Sequence, residues 1–146
     1  MCGETRYQIS AEPLRFSVCH CRYCQLRTGS AIGVSIYFQD DEVTLLSGKL
    51  DYFSYSTESG HSVKNERCSI CKTNLFWAID APSYIGLKDV AGGTFDPPTF
   101  WFKLTRSVFS RSKASFCEIV APEEHVTHAD YAPLKQDEER LSRKKR

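Results

Sequence analysis

No stretch of this 146-residue chain reaches eighteen consecutive apolar residues, so none reads as a membrane-spanning helix. The opening Met1-Cys-Gly-Glu-Thr-Arg-Tyr lacks the apolar run of a secretion signal. An excess of one charge is missing too. Nineteen Lys and Arg against 18 Asp and Glu leave +1, which gives no global electrostatic case for nucleic acid or an anionic surface. Helical 3.6-residue periodicity is absent before Lys135, and neither an internal repeat nor a thioredoxin-like βαβ pattern is found. These absences lead us to expect a cytoplasmic protein, with the nucleus as the other compartment open to it. Its partner is expected to be a small molecule, with no membrane and no nucleic acid involved. Its oligomeric state is unknown from sequence.

What is present is apolar and aromatic: 41% hydrophobic and 12% aromatic residues, enough for one domain with a core. The apolar pattern alternates in short runs between turns, which predicts a mainly β, single-domain fold. Thr5–Ile9 and Leu14–Val18 read as a hairpin about Ala11-Glu-Pro. Arg22–Arg27 reads as a helical turn stopped by Gly29. Ala31–Phe38, Val43–Leu46, Leu50–Tyr55, Asn74–Ile79 and the segments around Tyr84–Leu87 and Val90 read as strands, and Phe100–Leu104 as a last one. The expected domain is 1–134. Residues 135–146, charged all round, read as a frayed tail, with basic nuclear or nucleic-acid targeting as the sharper alternative.

Seven cysteines are many for such a chain. An odd number in close C-x-C and C-x-x-C spacings argues against a disulfide framework and for metal. Cys19, Cys21 and Cys24 form C-x-C-x-x-C. An extended Cys19–Cys21 puts both sulfurs on one face and His20 on the other, and a turn brings Cys24 back. Three thiolates suit a soft tetrahedral cation such as zinc, and three protein ligands are the number of a catalytic site that keeps a position open. Cys68 and Cys71 form the half-site of a zinc knuckle. Their partners could be cysteines of the first group, or Cys2 brought back by the first strand. Cys117 reads as a core residue. His125 and His128, four apart, form an i, i+4 pair without a predicted helix.

Cys2-Gly3 with Arg6-Tyr7, Cys19-His-Cys-Arg-Tyr-Cys with Arg27-Thr-Gly-Ser, Ser47-Gly-Lys-Leu, Arg67-Cys-Ser-Ile-Cys and Ala91-Gly-Gly-Thr-Phe-Asp occur in this order. Together they resemble the glutathione-dependent formaldehyde-activating enzyme family, also called Gfa-like or centromere-protein-V-like. The resemblance runs from Cys2 to about Pro98. It implies an Mss4-like, zinc-supported β fold with two zinc ions. Cys19, Cys21 and Cys24 would hold the catalytic one, and Cys2, Cys68 and Cys71 the structural one, one ligand short. The family's N-terminal C-x-C has only its second cysteine here, and Phe100-Trp-Phe stands where relatives often carry histidine. Arg27, Thr28, Ser30, Thr94 and Asp96 are candidate substrate-binding residues, Thr94 and Asp96 by the family's geometry.

Zinc with three thiolates carries about one net negative charge, which suits a substrate thiolate placed near an electrophile. The resemblance implies a carbon–sulfur lyase acting on a thiol–aldehyde adduct such as S-hydroxymethylglutathione. A zinc-dependent lyase, dehydratase or isomerase on another small metabolite is the alternative, favoured if Phe100-Trp-Phe lines the pocket. A non-catalytic zinc-stabilised binding module is the third reading, and the basic tail is its only support. No general acid or base is assigned from sequence.

Overall fold

The computed structural model describes residues 1–57 and 59–130. The charged segment 135–146 lies outside the described residues. The strands are β1 (Arg6–Ile9), β2 (Arg15–Cys19), β3 (Gly33–Gln39), β4 (Val43–Ser47), β5 (Leu50–Ser56), β6 (Ser62–Cys68), β7 (Asn74–Ile79), β8 (Leu87–Ala91), β9 (Arg106–Val108) and β10 (Glu123–His125). One α-helix, α1 (Arg22–Thr28), follows β2. Eight strands make one sheet in the order β10-β9-β2-β3-β8-β7-β6-β5, and β1 and β4 form a separate ribbon. The mainly β single domain read from the alternation is present. Among the described residues no helix is long and apolar enough to cross a membrane.

Alternation gives the sheet two different faces. Ile36, Phe38, Phe76 and Val90 point to one side and make the core, and the ribbon covers them with Tyr7, Ile9 and Val43. The other side is set by register. Phe53 lies opposite Asn65, Asn65 opposite Trp77, Trp77 opposite Asp89, and Asp89 opposite Tyr37. Directly opposed residues share a face, so one row of polar and aromatic side chains crosses five strands. A bulge between Glu66 and Arg67 leaves Leu75 as the extra residue on β7. Leu75 and Phe76 both enter the core, while Asn74 and Trp77 both turn to the polar face.

Three readings are corrected. β1 and β2 are strands but not a hairpin, since β1 pairs with β4 and β2 with β3 and β9. The chain crosses between layers at Ala11-Glu-Pro, where the Ser10 amide donates to the Glu42 carbonyl and the Leu14 amide to the Tyr37 carbonyl. Each strand thus buries an apolar face against the core from its own layer. Phe100–Leu104 is irregular, because the free edge of β2 is taken by Arg106–Val108. Phe102 enters the core, and Phe100 and Trp101 remain exposed. Tyr84 closes a 3-10 turn, Pro82–Tyr84, ahead of β8.

Gly48 joins the ribbon to the sheet at φ 83°, and a Cβ there would lie 2.7 Å from the Thr5 Cα. Both backbone conformation and space exclude a side chain. Gly48→Ala is expected to cost about 2–3 kcal/mol of folding stability, read by urea denaturation. It should also displace Cys2, which the ribbon positions. An unchanged urea midpoint would show that the ribbon yields freely.

Candidate metal centre

The first cysteine group sits at a strand-to-helix junction. Cys19 ends β2, and Cys21 caps α1, its sulfur accepting from the Cys24 amide at 3.4 Å. The helix then returns Cys24 to the other two and stops at Gly29, whose φ of 65° is left-handed. The three sulfurs lie within 4.8 Å of one another. His20 points the other way, as expected. It is fully buried, with Nε2 3.1 Å from the Ser107 hydroxyl on β9, and so pins the junction to the next strand. Hydrogen bonds from Cys19 and Cys21 hold the Cys24 thiol well below the ordinary range. Hydrogen bonding to Cys19 and Cys24 pushes Cys21 up.

Arg27 is drawn to this cluster. Its Nη2 is 3.6 Å from the Cys24 sulfur, and its guanidinium lies 3.5 Å from the centre of the buried Trp77 ring. Tyr23 of α1 stacks on Tyr55 of β5 at 5.7 Å. Cys19, Cys21, Cys24, Arg27, Tyr55 and Trp77 border a small pocket, about 70 Å³. Behind it, Asp89 is buried with Oδ1 lacking a hydrogen-bond partner, and burial pushes its carboxyl well above the usual range. His128 borders the pocket from the far side, with Nε2 3.0 Å from the Tyr84 hydroxyl.

The second group joins the ribbon to the sheet. Cys68 ends β6, the Lys72 amide donates back to the Cys68 carbonyl, and Lys72 adopts φ 60°, making the tight knuckle that returns Cys71. The β1–β4 pairing brings in Cys2, whose sulfur is 3.7 Å from that of Cys68. Hydrogen bonding to Thr73 lowers the Cys71 thiol to about 5. Bonds of about 2.3 Å from zinc to sulfur require sulfurs about 3.8 Å apart at the corners of a tetrahedron. Both groups fit that donor set, and each could hold a metal ion. Neither has a fourth cysteine, histidine or carboxylate donor among the described residues.

The other predicted site residues divide. Arg27 reaches the first cluster. Thr28 is exposed and donates to the Cys24 and Ile32 carbonyls, and exposed Ser30 donates its amide to Thr28, so both finish the helix. Thr94 meets the Tyr7 hydroxyl at 2.7 Å and Asp96 pairs with Arg6, both in a separate cleft beside the ribbon. His125 and His128 do not converge: His125 lies 3.4 Å from Glu123. Cys117 is half-buried on an irregular segment, not in the core. Sequence reasoning missed Trp77, Tyr37, Asp89 and Tyr55. The alternation of β5 and β7 carried the signal, but only the strand order shows that their free face meets the cysteines.

Residues 1–112, which include both cysteine groups, match the family described as glutathione-dependent formaldehyde-activating enzyme. No curated protein matches the chain. Among solved structures, the crystal structure of a Rhodobacter sphaeroides protein is similar at 15% identity, with a TM-score of 0.49. The match covers 69% of this chain and 91% of that one.

His128 supplies a test of the pocket wall. Burial lowers it to about 4, against an ordinary value of about 6.5. Between these values the unfolded chain binds a proton that the fold refuses, so stability falls as pH drops from about 6.5 to 4. We expect this residue to account for about 2 kcal/mol of that fall, after discounting for partial exposure. His128→Gln should flatten the profile in that window, measured by denaturant midpoints. A profile of unchanged slope would place the ring in solvent.

Proposed function

This chain belongs to the glutathione-dependent formaldehyde-activating enzyme family, and from that premise we propose that its reaction is carried out at Cys19, Cys21 and Cys24 around a zinc ion. It is an enzyme of thiol–aldehyde adduct chemistry, a carbon–sulfur lyase by type. In the direction of adduct formation the substrate sulfur bonds to the aldehyde carbon, the carbonyl π bond opens, and the thiol proton ends on the oxygen. Cleavage of S-hydroxymethylglutathione is the reverse.

One observation carries this assignment: three sulfurs within 4.8 Å, with no fourth protein donor among the described residues, at the edge of a small aromatic-walled pocket. Zinc bound there supplies an open position for a soft ligand and favours the thiolate form of a thiol near neutral pH. The chain does the rest. Trp77 and Tyr55 exclude water, and Arg27 beside Cys24 offsets the negative charge that several sulfurs collect. The same small volume brings thiol and carbonyl together, which is the larger part of what a two-substrate addition requires.

Cys2, Cys68 and Cys71 are assigned the structural zinc, since they tie the ribbon to the end of β6 and stand apart from the pocket. Among the described residues no further Cys, His or carboxylate completes their set. The zinc-supported, Mss4-like character of the fold is part of this proposal, as are a domain ending near residue 134 and a cytoplasmic location. The lyase, dehydratase or isomerase alternative loses its motive, because Phe100 and Trp101 do not border the pocket. A non-catalytic module would rest on a tail outside the described residues.

The two groups should separate by substitution. Cys21→Ser is expected to lose about one zinc per chain and all conversion of S-hydroxymethylglutathione while still folding. Cys71→Ser should lower the melting temperature sharply or leave the protein insoluble, because structural zinc contributes folding free energy. Elemental analysis, thermal melts and an adduct assay read these outcomes. Full zinc content in Cys21→Ser would remove the assignment, and a stable but inactive Cys71→Ser would exchange the two roles.

A further inference from the structure

The pocket beside Cys19, Cys21 and Cys24, at about 70 Å³, has room for about two water molecules at ~30 Å³ each. It accepts a thiol head and a one-carbon aldehyde, not a whole tripeptide. Tyr23, Arg27 and Tyr55 border both this pocket and a larger cleft of about 500 Å³ that runs between α1 and the polar face of β5–β7. The cleft is where the remainder of a substrate must lie.

At the far end of that cleft stand Asn65, Arg67, Lys72 and Asn74. Among the described residues no acidic side chain borders it. Arg67 makes no hydrogen bond or ion pair among the described residues, and its Nε is buried without a partner. Asp51 lies opposite Arg67 across β5–β6 but is bonded to Lys72, so the Arg67 guanidinium keeps its donors, and it is the group best shaped to take a carboxylate by two parallel hydrogen bonds. The neighbours hold still. Asn65 Nδ2 donates to Asn74 Oδ1 at 2.8 Å, and Asn74 Nδ2 donates to the Arg27 carbonyl at 2.7 Å. Lys72 is spent on Asp51 and the Ser69 carbonyl. At this end of the cleft, among the described residues, Arg67 is the cation whose side-chain donors are not taken by a hydrogen bond or ion pair.

We propose that this cleft is the carboxylate-binding end of the substrate site, with Arg67 its anchor. The thiol substrate enters sulfur first, with a carboxylate toward Arg67. The inference rests on the thiol reading of the cysteine pocket given above. Reach agrees with it. Arg67 lies two residues along β6 from Asn65, which is opposite Trp77, a step of about 6.7 Å. An extended tripeptide spans at most about 10 Å. Arg27 stays with Cys24 and Trp77, so the two arginines divide the work: one faces sulfur, the other the distant carboxylate.

Calorimetric titration of the zinc-loaded protein tests this with three probes: glutathione, its diester with both carboxylates blocked, and 2-mercaptoethanol. Wild type should bind glutathione at least about tenfold more tightly than the diester. Arg67→Gln should abolish that preference and leave the affinity for 2-mercaptoethanol unchanged. Equal binding of glutathione and diester to wild type, or a preference that survives Arg67→Gln, overturns the subsite. If 2-mercaptoethanol binds in either case, the thiol pocket stands and the subsite alone fails. If no thiol binds wild type, the thiol reading fails and the subsite with it. Should Arg67→Gln not fold, the wild-type comparison of glutathione with diester decides.

Discussion

Three sulfurs can meet within six residues only if the backbone changes form between them. An extended segment alone would carry the third sulfur away, and a helix alone would scatter them around its circumference. Here a strand ends at Cys19, an N-cap at Cys21 turns the chain, and the first helical turn returns Cys24. The rest of the site accommodates that junction. His20 is locked to Ser107. Gly33 leaves room where a Cβ would come within 3.0 Å of the Cys24 Cβ. Arg27, one turn further on, falls over Trp77 as a result of the same helix.

The sheet below serves two purposes through its two faces. The core face is conventional, with Ile36, Phe38, Phe76 and Val90 packed under the ribbon. The opposite face buries Asp89 beside Tyr37 and Trp77, apart from the cluster under the ribbon. A face of this kind is expensive in stability, because a buried carboxyl and a guanidinium need each other or a ligand. Here the charge of Arg27, beside Cys24, bears on the buried Asp89.

What could be read from the sequence followed the range of each signal. The C-x-C-x-x-C and C-x-x-C spacings are local, and the two groups form at those positions. The helix stop at Gly29 and the strand character of β3, β5 and β7 are local as well. Pairing is not local. Nothing in Thr5–Val18 tells that β1 leaves for β4, because both strands alternate correctly for a hairpin. The Phe100–Leu104 segment has strand composition, but the edge of β2 is taken by Arg106–Val108 just after it. Thr94 and Asp96 lie close to the family's glycine motif in sequence, yet the ribbon places them in another cleft. Arg67 stood out in sequence only as the residue before the second cysteine pair, since the cleft it borders is visible only once the strands are paired.

The register of β2 also sets an order of events in time. Its cysteine-bearing strand lies between β3, about a dozen residues later, and β9, which begins at Arg106. Pairings between segments so distant in sequence are entropically slow to close. During synthesis from the N-terminus the three thiols emerge well before β9 has been made. The Ser107 hydroxyl that pins His20 thus arrives 87 residues after the histidine it will hold in place.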